Sequence, residues 1–122
     1  MINLLQHSRR PDITFCRNGR ILITARVARI LAIAPGDSIN IAKDGREYLL
    51  FAVRHPADIG RHIARCYPTN KNSANYCANS VSLCRTMLEI AGVSTNRVAF
   101  MTGEPQQSDT TTYLPIITHH PR

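Results

Sequence analysis

The chain predicts an α+β fold that is mostly β: a β-β-α-β-β unit over residues 12–53, followed by a β-α-β-β extension over 54–122. Three observations carry this. Residues 12–53 alternate apolar and polar side chains in two blocks, each broken by a glycine turn. Between the blocks lies one short run with helical spacing, closed by Pro35-Gly36-Asp37. Residues 54–122 then hold one well-bounded amphipathic helix among β-prone runs.

Taken in order, residues 1–11 carry no period and end in Arg9-Arg10-Pro11, which reads as a flexible basic arm kept extended by its proline. Asn18-Gly19 lies between Ile13-Thr14-Phe15-Cys16 and Ile21-Leu22-Ile23 and suits a type I′ turn, giving the first hairpin. Thr24 is placed to cap a helix over Ala25–Ile33, with Val27, Ile30 and Leu31 as its apolar stripe and Arg26 and Arg29 on another face. Pro35 cannot continue a helix, and Gly36 accepts the reversal that follows. Ile39 and Ile41, the turn Lys43-Asp44-Gly45, and the run Tyr48–Val53 make the second hairpin.

After Val53 comes a connector rich in turn formers, Arg54 to Gly60, then a loose alternation over Arg61–Tyr67 read as a strand. Pro68–Tyr76, rich in asparagine, reads as a loop. Ser80 caps a helix over Val81–Ala91 whose Val81, Cys84, Leu88 and Ala91 recur at helical spacing, and Gly92 stops it. Arg97–Met101 and Thr110–Thr118 read as strands joined by a polar turn near Ser108-Asp109, with Pro115 placing the last strand at an edge or bulge.

The order Gly19-Arg20, Ile21, Ile23, then Val27, Leu31, Ile33, then Gly36-Asp37, Ile39 and Ile41 resembles the SpoVT/AbrB-like swapped-hairpin family of small DNA-binding proteins. The match covers residues 12–53. It departs at the helix start, where the family usually has proline and this chain has Thr24-Ala25, and at Ala32, where glycine is frequent. The resemblance implies a swapped-hairpin β-barrel built by a homodimer that binds duplex DNA. It points to Arg20 and Arg29 as DNA contacts, while Arg26 stands where many members carry an acid. Small size argues independently for a dimer, since a unit of about forty residues buries too little apolar surface to hold itself together.

Composition agrees with an anionic partner. The net charge is +7 over 122 residues, and basic residues outnumber acidic ones 15 to 8. Most of the basic residues are arginine, whose planar fork suits phosphates and guanine edges. Arg17 and Arg20 flank the first turn, Arg26 and Arg29 lie on the first helix, and Arg9 and Arg10 sit on the arm. Together these six are the candidate DNA-binding residues, and a two-fold pair of turns and helices would present about eight guanidinium groups. No apolar run approaches the length of a membrane span, and the amino terminus lacks the order of a signal peptide, so a cytoplasmic address is expected.

Enzyme signatures are missing: there is no phosphate-binding glycine loop, no nucleophile elbow and no zincin motif. Asp44 and Glu47 are the nearest acidic pair and flank a turn. The four cysteines Cys16, Cys66, Cys77 and Cys84 form no Cys-x-x-Cys pair, so free thiols are expected rather than a zinc site. Neither catalysis nor a cofactor is expected. The expected function is therefore a homodimeric, non-catalytic DNA-binding transcription regulator. The alternatives are a protein-interaction or antitoxin-like dimerisation module engaging a partner through residues 54–122, or a metal- or ligand-binding protein using Cys66, Cys77, His55 and His62.

Overall fold

The computed structural model describes residues 11–54, 63–119 and 121. Strands β1 (Ile13–Cys16) and β2 (Arg20–Ile23) form the first hairpin, and helix α1 (Ala25–Ile30) leads to the second, β3 (Ser38–Asp44) and β4 (Glu47–Val53). Short strands β5 (Ala64–Arg65) and β6 (Tyr67–Pro68) then precede β7 (Tyr76–Asn79), helix α2 (Val81–Ala91), β8 (Arg97–Thr102), β9 (Gln106–Ser108) and β10 (Thr111–Ile117).

All ten strands join one sheet in the order β5-β3-β4-β10-β8-β1-β2-β7-β6, with β9 on β10. The path begins at β5 and ends at β6, two pieces of one extended run broken only at Cys66. The sheet therefore curls back on itself into a nearly closed barrel, which leaves little open edge. No described helix is long and apolar enough to cross a membrane.

The chain uses the hairpin–helix–hairpin plan twice. β1-β2-α1-β3-β4 is answered by β5/β6-β7-α2-β8-β10, and the pairings follow an approximate two-fold. Like pairs with like where β2 meets β7 and β4 meets β10. Ile13 opposite Phe100 in β1–β8 corresponds to Ala64 opposite Ile39 in β5–β3. The two early hairpins do not pair with each other; their outer edges are filled by β5, β7, β8 and β10 of the same chain.

The core lies inside this ring. Ile13, Phe15, Ile21, Ile23, Val98 and Phe100 point inward at no more than 2% exposure, and the Phe15 and Phe100 rings meet edge to face at 6.0 Å. Val27 and Leu31 of the α1 segment and Cys84, Met87 and Leu88 of α2 close the barrel with equally buried side chains. The apolar stripe expected on α1 is thus the stripe that packs.

Several expectations change in detail. α1 stops at Ile30, because Ala32 already turns left-handed at φ 52°, before Pro35 is reached. Thr24 sits at the helix start, but its hydroxyl donates to the Asp12 carbonyl at 3.1 Å; Asn75 Oδ1 instead accepts from the first helical N–H, that of Ala25, at 2.8 Å. The first turn is not type I′, since Gly19 at φ 102° has positive φ and Asn18 does not. Cys16 to Gly19 closes a four-residue turn by a 2.8 Å backbone bond, the three-residue loop pattern with a left-handed last residue. The asparagine-rich stretch read as one loop ends in β7, which pairs with β6. Arms of two residues containing Pro68 are too short to announce a hairpin locally. β10 is an interior strand, between β4 and β8. Pro115 is accommodated there because its missing N–H falls where the neighbouring ladder passes from β9 to β8.

Candidate nucleic-acid interface

The four candidate arginines among the described residues do not converge. Arg9 and Arg10 lie outside the described residues. Arg17 and Arg20 flank the first turn at one end of β1–β2, while Arg26 and Arg29 ride on α1 beyond the other end, with the length of β1, about 13 Å, between.

At the α1 end positive charge is largely answered by buried carboxylates. Asp12, 2% exposed, accepts from the Thr102 N–H at 2.8 Å and the Thr102 hydroxyl at 2.7 Å, and pairs with the Arg26 guanidinium at 3.3 Å. Asp37, 1% exposed, accepts from the Ala34 N–H at 2.9 Å and from Arg54 at 3.0 Å. Arg54 also donates to the carbonyls of Leu31 and Ala32, so it ties down the carbonyl end of α1. Arg26 and Arg54 therefore hold the fold together. Arg29 is exposed on the last turn of α1, where a cation complements the helix dipole.

The first-turn end is different. The turn docks on the start of α2: the Ser80 N–H donates to the Gly19 carbonyl at 2.8 Å, and the Ser80 side chain accepts from the Leu83 N–H at 3.2 Å as the helix cap. Cys84 Sγ lies 3.6 Å from the Arg20 carbonyl oxygen. This docking brings Arg85 of α2 beside Arg17, and the two share a recess of about 410 Å³ with Glu89. Arg97, first residue of β8, sits opposite Cys16 and shares a second recess of about 550 Å³ with Arg17 and Asn18. Arg17 holds its place by donating to the Thr95 carbonyl at 2.9 Å, which leaves further guanidinium donors free. Arg20, Arg85 and Arg97 make no side-chain hydrogen bond or ion pair among the described residues. Four exposed arginines thus lie near one turn, and among the described residues Glu89 is the one acidic residue lining the two recesses that Arg17, Arg85 and Arg97 border.

The outer face of the barrel continues from this cluster. Inward residues alternate with outward ones, so Arg97, Cys16, Arg20 and Asn79 form one outward row across β8, β1, β2 and β7. Ala99, Thr14, Leu22 and Cys77 form the next. Arg85 and Arg97 were missed by sequence reasoning. Both fall in correctly read elements, but no local signal says that α2 docks on the first turn or that β8 pairs with β1.

The cysteines are free thiols among the described residues. Cys66 is pushed up to about 12, first by burial and then by the Asp37 carboxylate and Cys77. Cys84 is pushed up to about 11, chiefly by burial. Both are therefore poor nucleophiles and poor metal ligands near neutral pH. No group of three His, Cys, Asp or Glu among the described residues is placed to hold a metal; His55 and His62 lie outside those residues. Comparison with protein-family models, with curated proteins and with solved structures returned no match for this chain.

Proposed function

We propose that this chain is a nucleic-acid-binding protein, acting in DNA-bound regulation, that grips phosphates through Arg17, Arg20, Arg85 and Arg97 around the first turn. One observation supports the reading: Arg17, Arg85 and Arg97 line two recesses beside the first turn in which Glu89 is the one carboxylate among the described residues, with Arg20 at the same turn, whereas Arg26 and Arg54 at the other end face buried Asp12 and Asp37. A clustered, uncompensated guanidinium surface attracts a polyanion by displacing its condensed counterions. The reading keeps Arg17 and Arg20 from the sequence, adds Arg85 and Arg97, and gives Arg26 a structural task.

Fluorescence anisotropy with labelled DNA at a series of salt concentrations tests it. Binding should weaken steeply with salt, and each of Arg17→Ala, Arg20→Ala, Arg85→Ala and Arg97→Ala should flatten the log–log slope by about one. Arg26→Ala should leave the slope unchanged. Absence of salt-dependent binding at low ionic strength overturns the reading.

A further inference from the structure

The barrel repeats itself about an approximate two-fold, and the arginines near the first turn do not. The operation that sets Ile13 and Phe100 on Ala64 and Ile39 also exchanges Ile21 with Ala78, its partner across β2–β7. It sets Val27 and Leu31 of the α1 segment on Cys84 and Leu88 of α2, and all of these residues are buried. Stepping along the elements from these anchors gives each arginine its counterpart. Tyr67, opposite Cys77 in β6–β7, answers to Cys16, and Cys77 answers to Arg20. Arg17 then falls on Pro68, Arg85 on Ala28, and Arg97 on Gly36, which precedes Ile39 by as much as Arg97 precedes Phe100. Not one of the four arginines has a charged counterpart. At the far end Arg26 and Arg54 are paired with buried Asp12 and Asp37. Arg29 and Lys71 are exposed there on separate elements, Lys71 in the loop whose Asn75 meets the start of α1.

From this broken symmetry, and resting on the phosphate-binding reading above, we infer that the protein engages duplex DNA from one side only, one chain to a site, and that its sites are directional rather than palindromic. A protein with a true two-fold presents two equal surfaces, so its preferred DNA repeats each half-site in inverted order. This barrel has the scaffold for two surfaces and the cations for one. An inverted half-site would find no guanidinium at Pro68, Cys77, Ala28 or Gly36. It would release no further counterions, so a palindrome gains nothing over its single half.

The test uses the full chain and a labelled pool of duplexes randomised over about two helical turns, long enough for both halves of a symmetric site. Selection should enrich a motif without an inverted repeat, carried by one chain when the complex is sedimented. The slope of log affinity against log salt should be about −4, the release expected from about four phosphates, where two equal surfaces would give about twice that. The double variant Arg29→Ala/Lys71→Ala should keep the slope and the affinity of the parent, and thermal melts confirm that it folds. An enriched inverted repeat, two chains on one motif, or a slope flattened by about two in the double variant overturns the one-sided inference and leaves the phosphate-binding reading standing. Salt slopes measured on the starting pool decide the matter when selection enriches no motif. Failure of the pool to bind at low salt overturns both.

Discussion

Asp12 accepts three donors from two residues while lying 2% exposed, so Asp12→Ala would strand the Thr102 N–H and hydroxyl and leave Arg26 without its counter-charge. A loss of about 3 kcal/mol in denaturant stability is expected. Arg26→Ala should cost less, about 1 kcal/mol, because its side chain is 44% exposed. Arg20→Ala should reverse the pattern, leaving the urea midpoint in place and lowering affinity for DNA. The buried thiols set an upper pH limit. A cysteine in the unfolded chain ionises near its ordinary value of 9.0, whereas Cys66 and Cys84 hold their protons to about 12 and about 11 in the folded state. Above pH 9 the folded protein therefore binds more protons than the unfolded one, and stability should fall as pH rises from 9 toward 11. Urea midpoints across that range check this, and replacing both cysteines with alanine should flatten the decline.

At the scale of elements, the first turn fits closely against the start of α2. A Cβ on Gly19 would come 2.8 Å from Val81 Cγ2 and 3.2 Å from the Val81 backbone nitrogen, at a φ of 102°. Gly19→Ala should therefore cost about 2 kcal/mol and loosen α2 over Arg17. Adding Val81→Ala should recover part of that loss, a coupling that a double-mutant cycle measures. α1 offers the opposite case. It ends in a left-handed alanine, Ala32 at φ 52°, on an exposed turn. Ala32→Gly should relieve that strain and raise stability by about 0.5 kcal/mol. The Arg54 guanidinium binds the Leu31 and Ala32 carbonyls at the same turn.

At the scale of the molecule, strands of the second half complete the sheet of the first. β5, β7, β8 and β10 close the edges of both early hairpins and share one core cluster with them. The 122-residue chain is therefore expected to sediment at 13.6 kDa in dilute solution. A fragment of residues 12–53 loses every one of those partners, and should be unfolded alone or dimeric at high concentration. Sedimentation equilibrium on both species distinguishes these states, and a stable dimer of the complete chain would mean that hairpins exchange after all.

The elements themselves were legible because their signals are local: Ser80 and Gly92 bracket α2, Gly45 reverses β3 into β4, and Val27 and Leu31 mark the buried side of α1. Arg17 and Arg20 were legible as candidates for the same reason, flanking a recognisable turn. β6 and β7 were not, since arms of two to four residues with Pro68 and Asn79 exist through pairing with distant strands. Nor were Arg85 and Arg97, which join Arg17 only after α2 docks on Gly19 and β8 pairs with β1. Sequence alone thus determined the two early hairpins, the existence of both helices, and strands β8 and β10. Tertiary structure alone decided that the two halves complete each other and which arginines share a surface, because partner choice depends on contacts between residues some eighty positions apart, which no local spacing encodes.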